Sequence, residues 1–175
     1  MMQWYVKSGD ILDETADVLI CSGNGFLDLS GGVGAAIRMK HGMAMQEALH
    51  QHRAELGNGA IPRGEIAVVP SCGTQFQYVI HAIAVDVFYR ATIETTADVL
   101  RRSLVEANRL RAETVAVVAL ATGYGPLSME DFGAVIDQTN LDSLESLKHA
   151  TVVVRHPHEA ADIASTSKTA TTIQS

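Results

Sequence analysis

Little in this sequence marks it for a membrane, an export route or a polyanion. No apolar run reaches the roughly 18 residues that a membrane-spanning helix requires, and Met1 to Lys7 lack the basic stretch and apolar core of a secretory signal. A soluble, cytoplasmic protein is therefore expected. Only two cysteines occur; Cys21 falls in an apolar run and Cys72 in a loop, so free, reduced thiols are expected rather than a disulfide, and two cysteines alone make no metal site. Basic residues are also few, 13 Lys and Arg against 20 Asp and Glu for a net charge of -7. None of them forms the cationic block that duplex nucleic acid demands, so such binding is not expected.

What is present is the composition of one globular domain: 175 residues, 47% hydrophobic and 19% charged, enough to bury a single core without disulfides or metal. The domain is expected over residues 1–165, followed by a flexible polar tail over 166–175, whose small residues have nothing to bury. There is no internal repeat.

Periodicity orders the chain into alternating elements. Trp4 to Lys7 reads as a strand, Ser8-Gly9-Asp10 as a turn and Asp17 to Ser22 as a buried strand. Met43 to Leu56 has helical spacing and ends at Gly57-Asn58-Gly59. Glu65 to Pro70 and Gln77 to Val85 form a hairpin through Ser71-Cys72-Gly73-Thr74. Thr95 to Arg111 is an amphipathic helix with Leu100, Leu104, Ala107 and Leu110 on one stripe. Thr114 to Leu120 has the unbroken apolar character of a parallel strand covered on both faces. Ser128, three residues before Asp131, starts a helix reaching towards Leu147, with Asn140 as a point of interruption; Thr151 to Arg155 is a last strand and His158 to Ala164 a short terminal helix. The class is α/β, a mixed sheet between helices.

Two glycine-rich segments leave strand ends directly. One is Asn24-Gly25-Phe26-Leu27-Asp28-Leu29-Ser30-Gly31-Gly32-Val33-Gly34, after Val18-Leu19-Ile20-Cys21; the other is Ala121-Thr122-Gly123-Tyr124-Gly125-Pro126. In open α/β sheets ligands bind beyond the carboxyl ends of strands, and bare amides at a helix start or in a nest attract phosphate without lysine or arginine. A diphosphate held between two such loops suits an acidic protein. The dinucleotide fingerprint of the Rossmann type fails, because Asp28 stands where the third glycine after Gly23-x-Gly25 belongs, and a P-loop lysine is absent.

From about Trp4 to Arg155 the chain resembles the macro domains that bind ADP-ribose, in particular the MacroD-type and O-acetyl-ADP-ribose deacetylase group. The landmarks are Gly9-Asp10-Ile11 after the first strand, Asn24 separated by six residues from Gly31-Gly32-Val33, the strand Val79-Ile80-His81-Ala82, and Ala121-Thr122-Gly123-Tyr124-Gly125. The resemblance implies a three-layer α/β/α fold with a mixed central sheet, and a partner that is ADP-ribose or an ADP-ribosylated protein. It implies no cofactor.

By the same resemblance, Asp10 accepts a hydrogen bond from the adenine amino group, which guanine's oxygen could not give, with the Ile11 amide nearby; the alternative is an aspartate serving its own turn. Gly31, Gly32, Val33 and Gly34 line one side of the diphosphate, and Thr122, Gly123, Tyr124 and Gly125 the other. Asn24 either meets hydroxyls of the distal ribose or stabilises its own loop. Tyr124 either packs over that ribose or fills a gap beneath the loop, and His156 lies beside adenine or is solvated on the surface. His81 belongs to the core or a hydrogen-bonded edge. His50 and His52 point to different faces of a helix, and His156 with His158 lacks a third ligand, so no metal site is expected.

Catalysis turns on one position. The hydrolases of this family often carry an aspartate after the valine, positioning water at the distal ribose, and here that residue is Gly34, which has no side chain for base work. Asn24 and Asp28 are the candidate catalytic residues that remain. Binding of ADP-ribose is the first expectation. Removal of mono-ADP-ribose from protein, or deacetylation of O-acetyl-ADP-ribose, is the second, and a degenerate pocket serving as a scaffold or as a reader of RNA or another nucleotide is the third.

Overall fold

Strands of branched apolar residues, too short to span more than one layer, pair edge to edge in the computed structural model, which describes residues 2–139, 141 and 144–174. The strands are β1 (Gln3–Ser8), β2 (Val18–Ser22), β3 (Ile66–Pro70), β4 (Tyr78–Ala82), β5 (Thr114–Val117), β6 (His149–Val154) and β7 (Ala170–Thr172). Their order in the single sheet is β3-β4-β2-β5-β6-β1-β7. The β3–β4 hairpin pairs antiparallel and every other neighbouring pair is parallel, so the sheet is mixed, as expected.

Helices α1 (Gly32–His41), α2 (Ala44–Glu55), α3 (Ile93–Arg109), α4 (Met129–Gln138) and α5 (Pro157–Thr166) cover its two faces. Side chains alternate across β2: Leu19 and Cys21 join Ile37 of α1 and Leu49 of α2 in one core, while Val18 and Ile20 join Leu100 and Leu104 of α3, Phe132 of α4 and Ile163 of α5 in the other. The result is a three-layer α/β/α arrangement. Truncating a side chain as buried as Leu19 or Leu104 costs about 2–5 kcal/mol.

Local signals set several ends. Ser128 and Asp131 exchange the expected reciprocal bonds at the start of α4, Asp131 N–H to Ser128 Oγ at 3.0 Å and Ser128 N–H to Asp131 Oδ2 at 2.9 Å. That helix stops at Gln138 instead of reaching Leu147; Thr139 is its C-cap, with its N–H shared between the Val135 and Ile136 carbonyls and its hydroxyl donating to the Val135 carbonyl at 2.6 Å; Asn140 lies outside the described residues. Part of the segment expected as a flexible tail over 166–175 lies in regular elements. Thr166 ends α5, and Ala170–Thr172 forms β7 alongside β1, with Ile173 N–H donating to the Val6 carbonyl at 3.0 Å. Polar groups hold the segment there: the Asp137 carboxylate accepts from Ser167 Oγ at 2.8 Å, Lys168 N–H at 2.9 Å and Thr169 Oγ1 at 2.9 Å, and β7 covers the edge of β1 that β6 leaves open.

Parallel pairing places the carboxyl ends of β1, β2, β4, β5 and β6 along one rim of the sheet. The loops that leave them form the candidate site.

Candidate functional site

The loop from β2 into α1 is built from close backbone approaches. A Cβ on Gly25 would lie 2.8 Å from the Ile61 carbonyl oxygen, so that position has no room for a side chain, and one on Gly23 would lie 3.1 Å from His81 Cβ, a tight fit. The Asn24 side chain is turned onto its own loop: Oδ1 accepts from Phe26 N–H at 3.0 Å and Asp28 N–H at 3.2 Å, and Nδ2 donates to the Asp28 carbonyl at 2.8 Å. One Nδ2 hydrogen is left for another acceptor.

Helix α2 grips the same loop from the side. Gln46, buried to 5% exposure, accepts from Leu29 N–H at 2.7 Å and donates to the Leu27 carbonyl at 2.9 Å. One turn on, His50 Nε2 lies 2.9 Å from Asp28 Oδ1, and beyond it Arg53 donates to the Phe26 carbonyl at 2.8 Å. Positions 46, 50 and 53 share one helix face, so three side chains hold four successive loop residues. The sequence reading did not single out Gln46 or Arg53; their signal is polar residues at helical spacing on a helix whose other positions, Met45 and Leu49, are buried. Asp28, a catalytic candidate, has its carboxylate engaged by His50 with both side chains about half exposed.

At the start of α1, Gly31 occupies the cap position with no side-chain hydrogen bond to the helix, and the first amides of an α-helix have no partner within it. Gly32 takes a φ of +55° and a Cβ there would meet nothing within 4 Å, so its backbone is approachable. Gly34 is different. It is buried, and a Cβ there would press on Leu29.

The second loop closes on itself. Thr122 Oγ1 donates to the Ala119 carbonyl at 2.7 Å, Leu127 N–H to the Ala121 carbonyl at 3.1 Å, and a Cβ on Gly125 would run into that Ala121 carbonyl. Gly123 has open space around its Cβ position. Tyr124, 77% exposed, reaches across: its Cε2 and Oη atoms both lie 3.1 Å from where a Gly31 Cβ would be. The two glycine-rich loops therefore meet at a tyrosine ring.

Asp10 follows β1 and its Oδ1 accepts from Leu12 N–H at 2.9 Å, capping a short 3-10 turn in which Ile11 is buried. Gly9 N–H donates to the Val154 carbonyl at 2.8 Å, which brings Asp10 next to the end of β6. His156 just beyond is exposed, its ring stacked on His158 at 5.5 Å, and its N–H donates to Glu159 Oε2 at 2.9 Å. Left-handed backbone at Leu27 (φ 55°), Tyr89 (φ 58°) and Ala121 (φ 62°) falls in three of the loops on this rim.

His81 stands apart from this rim chemistry. Its ring is buried with Nδ1 3.4 Å from Cys21 Sγ; burial pushes its pKa down to about 4 and the Cys21 thiol up to about 12. Neither is a reachable base or nucleophile. Both cysteines are free. Among the described residues no three His, Cys, Asp or Glu side chains gather to hold a metal ion, and no helix is long and apolar enough to cross a membrane.

Residues 21–136, most of the layered core and both glycine-rich loops, match the family model of the Macro domain. The chain belongs to the macro domain family. This macro domain is 33% identical over 128 residues to an uncharacterized Sulfolobus acidocaldarius protein, covering 71% of this chain and 67% of that one. It is 31% identical over 135 residues to a macro domain-containing protein of Streptomyces coelicolor, covering 75% and 78%. An uncharacterized Pyrobaculum aerophilum protein, 31% identical over 115 residues, is covered over 62% of its length and covers 66% of this chain. Among solved structures it overlays a mutant Oceanobacillus iheyensis macrodomain with ADPR at a TM-score of 0.82, with 22% identity over 92% of this chain and 89% of that one. A Trypanosoma brucei macrodomain in complex with ADP gives 0.75, with 17% identity over 92% and 67%. At those identities the likeness is one of fold.

Proposed function

We propose that this macro domain binds ADP-ribose, free or attached to a protein, by holding its diphosphate between the start of α1 and the loop at Thr122 to Gly125. The observation that carries the reading is the meeting of the two loops: Tyr124 lies against Gly31, directly beside an uncapped helix start whose Gly32 backbone is open. Amides of Gly32, Val33 and Gly34 supply the positive end of the helix dipole, and a diphosphate needs no cationic side chain there. Gly123 and Gly125 face it from the other loop.

On this reading the Asp10 oxygen not engaged with Leu12 accepts the adenine amino hydrogen, beside the Ile11 amide, and the remaining Nδ2 hydrogen of Asn24 reaches a hydroxyl of the distal ribose. Tyr124 covers that ribose. Binding rather than hydrolysis is favoured because Gly34 offers no carboxylate. A thermal-shift titration tests the choice of base: ADP-ribose raises the melting temperature, GDP-ribose raises it far less, and Asp10→Ala removes the difference. Equal shifts with both nucleotides overturn the assignment of Asp10.

One observation favours the second reading, hydrolysis of a protein-linked ADP-ribose. An imidazole held by a carboxylate, as His50 is by Asp28 at 2.9 Å, is the arrangement of a general base. A time course on a mono-ADP-ribosylated protein decides it: loss of label abolished by His50→Ala supports it, and a wild type that matches the no-enzyme control removes it.

A further inference from the structure

The segment between β4 and α3 displays Val87, Phe88 and Tyr89 to solvent at 57%, 71% and 58% exposure. The loop is cross-braced by hydrogen bonds. Asp86 Oδ1 accepts the N–H groups of Phe88 and Arg90, both at 2.9 Å; Tyr89 N–H donates to the Asp86 carbonyl at 2.9 Å; and Asp86 N–H donates to the Arg90 carbonyl at 3.2 Å. Arg63 adds a bond to the Arg90 carbonyl at 3.0 Å. Tyr89 is held at a φ of +58°, left-handed backbone that a residue with a Cβ seldom adopts. A loop so fixed, with its aromatic rings turned outward, presents a surface rather than fraying from one.

That surface is continuous with the diphosphate site. The Tyr89 ring lies 6.3 Å from the Tyr124 ring, and Tyr124 rests on Gly31. Its charge argues against a nucleic acid. The Arg90 guanidinium pairs with Asp86 at 2.8 Å and lies over the Phe88 ring, 5.1 Å from its centroid; no lysine occurs in residues 83–92 or 118–128, and the whole chain carries -7. Tracking a phosphate backbone needs uncommitted cations. Exposed Phe and Tyr with Arg, and no lysine, match instead the centre of a protein–protein interface.

Resting on the ADP-ribose reading, we propose that Phe88, Tyr89 and Tyr124 form a docking surface for the polypeptide that bears the ADP-ribose, taking up apolar side chains on either side of the modified residue. Phe88 meets Arg90 rather than a group assigned to ADP-ribose, whereas Tyr89 meets the Tyr124 ring, so Phe88→Ser alone, measured beside the double variant, separates the two contributions.

Calorimetry on the full chain tests this with free ADP-ribose, a mono-ADP-ribosylated peptide with apolar flanking residues, and an ADP-ribosylated oligonucleotide. The double variant Phe88→Ser with Tyr89→Gly suits the purpose, since glycine accepts the left-handed backbone at position 89. The wild type is expected to bind the modified peptide at least about tenfold more tightly than free ADP-ribose; the double variant loses that gain while its affinity for free ADP-ribose stays within about twofold. Equal affinity of the wild type for peptide and free ligand, an equal loss of both in the double variant, or a gain seen only with the oligonucleotide overturns the proposal. Failure of the wild type to bind free ADP-ribose at all overturns the binding reading beneath it.

Discussion

Leu29 fills the space into which any side chain at Gly34 would grow: a Cβ built on Gly34 would lie 3.0 Å from Leu29 Cδ2 and 3.3 Å from Leu29 Cα. Leu29 cannot easily yield, since it is buried and its N–H is held by Gln46 at 2.7 Å. A side chain at position 34 therefore requires Leu29 to give by a few tenths of an ångström. Gly34→Asp is expected to destabilise the fold by about 1–3 kcal/mol through overpacking, lowering the melting temperature by roughly 2–4 °C per kcal/mol. A melting temperature equal to that of the wild type would show that the loop has room for the carboxylate after all.

Gln46 satisfies two buried backbone groups of the loop between β2 and α1 at once. Replacing it with the similarly shaped Leu leaves the Leu29 N–H and the Leu27 carbonyl without partners, at about 1–3 kcal/mol for each. Urea denaturation of Gln46→Leu should show that loss, and ADP-ribose affinity should fall by about tenfold or more because the loop is no longer held in register. Unaltered affinity in a destabilised variant would mean that α2 supports the fold without positioning the site.

How far these features could be read beforehand depends on the range of the interactions behind them. The stripe of α3 and the Ser128–Asp131 box depend on residues within one or two turns, and both are found where the sequence puts them. The glycine loops were legible because Gly25 and Gly125 leave no room for a Cβ. The grip of Gln46 on Leu29 spans 17 residues and the docking of β7 on β1 about 166, and no local pattern announces either. Asn24 shows the limit in one residue: its type and place invite a ligand, while the partners it has in the structure are Phe26 and Asp28 of its own loop.

His81 makes folding sensitive to acid. Burial lowers its pKa from 6.5 to about 4, so the unfolded chain takes up a proton on this imidazole at a higher pH than the folded chain does. Its contribution to stability is complete above about pH 6.5 and is lost as pH falls towards 4, by on the order of 3 kcal/mol across the window. Urea midpoints measured from pH 7 down to pH 4 should fall less steeply in His81→Gln than in the wild type. Parallel profiles would assign the acid sensitivity to other groups.

Gly32 offers the cleanest separation of ligand binding from folding. Its Cβ position is open, so Gly32→Glu costs only the strain of left-handed backbone, about 1–2 kcal/mol, while placing a carboxylate where the diphosphate would lie. Calorimetric titration of the wild type and this variant with ADP-ribose, alongside a thermal melt of each, is the most direct test of the proposed clasp. The wild type should give a saturable, one-to-one heat, and Gly32→Glu should give none while still melting cooperatively. No heat from the wild type at millimolar ADP-ribose, or an unchanged isotherm in the variant, would contradict the account.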